Sequence, residues 1–183
     1  MVELPYRRDI EIELLLASPV HRYEGRPQDG PLEAIGRELH DSIELRAGLG
    51  IVGDRYFGNA AHVGSAVTLM ASESLDYLAS TLGLAVRPHA ANTRRNIILR
   101  GVDVDAMRDA TFSIDSGQGP VLFRGTRPAN PCAWMDAELA QGAHRALRNR
   151  GGMRCELLSS GTLSLGPAVL RSSIELGAPG NGA

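Results

Sequence analysis

The chain contains little cysteine, few aromatic residues and no long apolar run. Only Cys132 and Cys155 occur among 183 residues, so a disulfide framework is excluded and a four-thiolate iron–sulfur cluster cannot be ligated. Neither the paired spacing nor the nearby histidines of a structural zinc site accompany them. The longest apolar stretch near the start, residues 14–17, is far too short for a membrane span or a signal-peptide core. A cytoplasmic protein without a membrane partner is therefore expected, with both thiols free in a reducing compartment. Charge of one sign is also missing: the formal net charge is -2 and the basic residues are dispersed, so nucleic acid is not an expected partner. Phosphate-binding Gly-x-x-x-x-Gly-Lys, dinucleotide-binding Gly-x-Gly-x-x-Gly, the Gly-x-Ser-x-Gly elbow and the His-Glu-x-x-His helix are all absent.

What is present suits one ordinary domain. Hydrophobic residues make up 43% and charged residues 22%, enough for a core without staples. The expected domain spans residues 1–176, and the small-residue tail 177–183 is expected to be disordered. Ile12, Leu14 and Leu16 alternate as in a strand. Further strands are expected at 43–46, 66–70, 96–100, 111–114, 121–124, 153–158 and 163–170, with long loops at 18–30 and 47–64. Ser72 can cap a helix that Gly83 ends, and a second helix is expected from Pro131 to about Arg148. Many short strands with two inserted helices predict a mainly β fold, a closed or nearly closed barrel.

The densest chemical grammar lies in Arg127-Pro128-Ala129-Asn130-Pro131-Cys132-Ala133-Trp134. Asn130 is a favoured N-cap and Pro131 suits the first helical position, which puts Cys132 in the first turn, where a helix dipole and Arg127 would favour a thiolate. The same position also suits a small buried residue at a strand-to-helix corner. Cys155 sits in a strand-like run and reads as core. Asp54 and Arg55, in Gly53-Asp54-Arg55-Tyr56-Phe57-Gly58, read either as ligand contacts or as a lock on their loop. Arg94 and Arg95 precede a strand, and adjacent extended residues point to opposite faces, so only one is expected to face a pocket. His21 and Arg22 can meet an anion or remain solvated.

In order along the chain, Ser18-Pro19, Gly48-Leu49-Gly50-Ile51-Val52-Gly53-Asp54-Arg55, Asn96-Ile97-Ile98, Gly101-Val102-Asp103 and the late Cys132 resemble the MOSC family, related to the C-terminal domain of molybdenum cofactor sulfurase. The resemblance spans roughly residues 12–170. It implies a MOSC-type β-barrel that binds the molybdenum–pterin cofactor, or hands sulfur to it, through Cys132. It further implies that Arg94, Arg95, Asn96 and Arg127 line the pocket, while Asp54 and Arg55 shape its loop. Family members include the mitochondrial amidoxime reducing component and bacterial proteins that reduce N-hydroxylated bases. One departure concerns the first loop, where many members carry a glycine-rich segment with a lysine and this chain has Val20-His21-Arg22-Tyr23-Glu24-Gly25-Arg26-Pro27.

Three functions remain open on this reading. In the first, Cys132 is the molybdenum ligand of an oxidoreductase fed by a separate redox protein. Alternatively it is a sulfur carrier, forming a persulfide loaded by a sulfur-donor protein. The third is a cofactor-binding module without chemistry.

Overall fold

Period-two alternation along the strands builds the architecture, because it gives nearly every strand one face for a barrel interior. The computed structural model describes residues 2–180. Its elements are β1 (Tyr6–Leu15), β2 (Ser42–Arg46), β3 (Gly50–Ile51), β4 (Val67–Ala71), α1 (Glu73–Leu82), β5 (Ile97–Arg100), β6 (Thr111–Asp115), β7 (Val121–Pro128), α2 (Trp134–Glu138), α3 (Ala143–Ala146), β8 (Met153–Leu157), β9 (Gly161–Ser164) and β10 (Gly166–Ser172). Seven strands close a barrel in the order β1-β10-β6-β7-β8-β4-β5, and β3-β2-β9 form a small separate sheet. All barrel pairs are antiparallel except β4 with β5. The parallel pair requires a crossover, which α1 supplies.

Two apolar clusters result. The barrel interior holds Ile12, Val67, Leu69, Ile97, Leu99, Phe112, Phe123, Cys155 and Leu157, all buried. Phe112 and Phe123 face each other across the β6–β7 ladder and stack with centroids 5.4 Å apart. A second cluster lies on the outer face of β1, β4 and β5, where Leu14, Leu16, Met70 and Ile98 meet Leu75 and Leu78 of α1 and Trp134, Met135 and Leu147 around α2 and α3. Each fully buried aliphatic side chain contributes about 1.5–3 kcal/mol, so this outer layer ties the helices to the wall.

Three expectations are corrected. The strand expected at 163–170 is two strands, β9 in the small sheet and β10 in the barrel. Ile12, Leu14 and Leu16 do not share a face: the β1–β5 register shifts between Ile12 and Leu14, so Ile12 points into the barrel and Leu14 and Leu16 point out to the helices. The second helix is two short helices, parted at Gly142, whose φ of 92° suits glycine. Within the expected tail, Gly177 accepts a hydrogen bond from Asp103 N and Gly180 accepts one from Arg150. Residues 181–183 of that tail lie outside the described residues.

Candidate functional site

Where the helical layer stops short of covering β4 and β8, a cavity of about 270 Å³ opens on the outside of the barrel wall. Thr68 of β4 and Arg154 of β8 are register partners with inward-facing neighbours, so both turn outwards to its floor. Asn130, Cys132, Trp134 and Met135 form one side. His21, Arg22 and Tyr23 come from the first loop, Arg55 and Tyr56 from the second, and Thr93, Arg94, Arg95 and Asn96 from the segment before β5. Five of these side chains are arginine, and among the described residues no carboxylate joins the lining.

Charge is distributed unevenly among the five. Arg94 takes a left-handed backbone, φ 57°, so the two adjacent arginines are not in extended chain and both reach the cavity. Arg94 makes a two-pronged ion pair with Glu38 at 2.8 and 2.9 Å, and Arg22 joins the same carboxylate at 3.2 Å. Burial pushes the Glu38 carboxyl up, but hydrogen bonds from Arg94 and Ser18 and the charges of Arg94 and Arg22 outweigh it and hold the group at about 2. Arg95 donates instead to carbonyls: Gly151 O at 2.8 Å, Ala129 O at 2.7 Å, and Asn130 O and Thr93 O at 3.3 Å. Burial, then the charge of Arg154, lowers its pKa to about 10, against Cys132 and Asp105, which raise it. Arg55 lies 4.5 Å over the Tyr56 ring with its buried Nε unpartnered. Arg154 donates no side-chain hydrogen bond and makes no ion pair among the described residues, and burial, then Arg127, lowers its pKa. His21 is pushed down by burial and by Arg55, so it is neutral at neutral pH.

Other candidate residues have structural roles. Asn96 spends both amide hydrogens on Leu16 O and Asp54 Oδ2, each at 3.1 Å, and its Oδ1 accepts from Thr68 N and Thr68 Oγ1. No donor is left for a ligand, so its part in the site is to bolt β1, β4 and the second loop together. Asp54 locks its loop, accepting from Ser18 N, Tyr56 N and Asn96 Nδ2. Arg127 is exposed and lies outside the lining.

Cys132 is exposed and faces the cavity, whereas Cys155 is buried inside the barrel. The expected cap geometry is not formed. Helix α2 begins at Trp134, Ala133 takes the cap position without a side-chain bond, and Cys132 precedes it, its carbonyl accepting from Met135 N at 2.9 Å. A five-residue helix has little dipole to offer, so the positive surroundings of Cys132 come from guanidinium groups. Arg95 sets the position of the thiol segment by gripping the carbonyls of Ala129 and Asn130. We expect Arg95→Met to cost about 2–4 kcal/mol, because buried carbonyls lose their donor, with Arg95→Lys recovering only part since one ammonium lacks the planar fork. Urea unfolding with an unchanged m value measures this, and a cost below about 1 kcal/mol would contradict the carbonyl-grip role.

On the far side of that rivet, Asp105 Oδ1 accepts from Gly152 N at 2.9 Å. Burial first, then Asp103, raises its pKa to about 6, against the Gly152 hydrogen bond. A raised carboxyl binds protons more readily in the folded chain than in the unfolded one. Its contribution therefore turns unfavourable as pH rises from the ordinary carboxylate value through about 6. Asp105→Asn keeps an acceptor for Gly152 N, so it should stabilise the protein at about pH 8, by at most about 3 kcal/mol, and give no such gain at about pH 4. Thermal melts at the two pH values test this, and equal effects at both would refute it.

The sequence matches the family model for the MOSC domain over residues 53–170, more than half of the chain. A search of curated proteins finds no match. Among solved structures, the YuaD protein from Bacillus subtilis aligns with a TM-score of 0.68 at 17% identity, covering 93% of this chain and 99% of that one. YiiM from Escherichia coli aligns with a TM-score of 0.56 at 16% identity, covering 98% and 73%. At these identities the likeness establishes the fold. Among the described residues no helix is long and apolar enough to cross a membrane, and no group of three or more His, Cys, Asp or Glu residues is arranged to hold a metal ion. The closed seven-stranded barrel and the family match together place this chain in the MOSC domain family, a class of molybdenum-cofactor-related domains.

Proposed function

We propose that the cavity binds the molybdenum–pterin cofactor, with the Cys132 thiolate as the protein's ligand to the metal and the arginine wall meeting the negative charge of the pterin's phosphate and dithiolene. The observation that carries this is a lining with five guanidinium groups, no carboxylate and one exposed soft thiol. The residues fit such a group: Arg55 keeps an unpartnered Nε, and the Tyr23–Trp134 stack, with centroids 4.8 Å apart and planes 4° from parallel, supplies a flat apolar wall. The chemistry such a cofactor supplies when bound is two-electron reduction of an N-hydroxylated base, with electrons from a separate redox protein. In this chain Cys132 holds, Arg95 positions, the Arg94–Glu38–Arg22 cluster fixes the first loop at the cavity, and Tyr23 donates to Asn92 O at 2.6 Å to keep its ring in place.

Exposure of the Cys132 thiol also supports the sulfur-carrier reading, in which its thiolate takes the outer sulfur of a donor protein's persulfide, the donor's S–S bond breaking to release the donor thiol. Protein purified from cells able to make the cofactor separates the two. Molybdenum and pterin at about one per chain support the metal-ligand reading. An added sulfur on Cys132 without metal supports the carrier, and a bare, metal-free chain rejects both.

A further inference from the structure

Across the barrel from the cavity, strand register lines up charged side chains in two rows of opposite sign. Ile10, Leu170 and Ile114 point into the barrel, so the residues beside them in β1, β10 and β6 point out. Arg7, Arg171 and Ser113 are register neighbours in one outward row, and Asp9, Val169 and Asp115 form the next. Arg7 and Asp9 pair along their strand at 2.7 Å, and both remain exposed. Arg171 is exposed directly opposite Arg7 and has no ion pair among the described residues. Like charges opposite each other in a sheet are destabilising, and acids brought from outside would relieve them.

The helices pack on β1, β4 and β5, on the other side of the barrel. Over β10, β6 and β7 a shallow groove of about 660 Å³ lies open, with half-buried Val169 and Leu122 along it and exposed Val2 at its border. Such a face can be covered by a second sheet at a spacing of about 10 Å. Charge decides which sheet fits. An acidic partner would repel the carboxylate row and a basic one the arginine row. The same two rows turned over meet neither obstacle. A two-fold axis in the plane of contact, across the strands and between the rows, sets Arg7 over Asp9 of the second copy. It also sets Arg171 over Val169 of that copy, between the two acids of its row.

We propose that the outer face of β1, β10, β6 and β7 is an isologous interface that binds a second copy of this chain. Cys132 and the cavity take no part, so the pairing stands apart from the cofactor reading.

Sedimentation velocity of the full chain at low ionic strength tests this, with reductant present to remove dimers joined through Cys132. Four strands make a small face, so a reversible dimer with a dissociation constant of about 10 µM is expected. Arg171→Asp, which would face two acids, should weaken it at least about thirtyfold. Arg145→Asp makes the same charge change on exposed α3 and should leave the dimer intact. Arg7→Asp makes the face acidic and Asp9→Arg makes it basic, so each alone should be monomeric and an equimolar mixture should form heterodimers. Misfolded variants would not pair in this way. The interface is refuted by a wild type still monomeric at about 200 µM, by a dimer that survives Arg171→Asp, by equal loss in Arg145→Asp, or by a mixture that stays monomeric.

Discussion

Replacing Cys132 by alanine should strip molybdenum from protein purified out of cofactor-competent cells, with metal per chain falling at least about tenfold. The fall is large because no second thiol can take over. Cys155 lies at the centre of the barrel, fully buried, and burial pushes its thiol far up, so it neither reaches the cavity nor ionises there. Cys155→Ala should accordingly keep full metal loading while losing about 1–2 kcal/mol of stability from the small void it leaves. Elemental analysis and denaturant unfolding of the two variants give opposite patterns if the assignment is right. Equal loading in wild type and Cys132→Ala would remove the thiol from the mechanism.

The largest loss of stability should come from Gly152→Ala. A β-carbon at Gly152 would stand 2.0 Å from Leu69 O, a backbone atom of β4 that cannot step aside, and φ there is 94°. The barrel wall closes at this contact, so the substitution should cost more than about 4 kcal/mol and leave little soluble native protein. Gly58→Ala provides the comparison: φ is also positive, at 70°, but nothing lies within 4 Å, and the expected cost is only about 1–2 kcal/mol. Expression yield and near-ultraviolet circular dichroism distinguish these outcomes. If both variants behave alike, backbone conformation rather than close approach sets the cost.

Strands with plain alternation were legible in the chain, as in β6 and β8, because inward side chains such as Cys155 and Leu157 repeat every second residue, and β4 was legible as a compact apolar run, buried throughout. Helix α1 was legible from its start near Ser72 and its stop at Gly83, although Ser72 makes no side-chain bond to the helix end. Where local rules failed, a distant residue had intervened. Asn130 and Pro131 spell a helix start, yet Arg95 holds the Ala129 and Asn130 carbonyls and the helix begins later. Glu38 went unnoticed because a lone acid in a polar loop carries no signal of the arginine it meets, 56 residues further on. Arg154 was missed for a related reason: alternation says that it points away from the core, but not that a cavity lies there. The resemblance implies Arg127 in the pocket lining, whereas the shifted β7–β8 register pairs it with Arg154 and leaves it exposed, outside that lining.

The two sulfur atoms stand on opposite sides of one sheet. Cys155 is walled inside and Cys132 faces solvent, so the chain has no internal partner for an oxidised Cys132. Peroxide or glutathione disulfide acting on the exposed atom must end in a sulfenic acid and its higher oxides, in a mixed disulfide, or in two chains joined through their Cys132 residues. A bound metal ligated by that sulfur would shield it from all three fates.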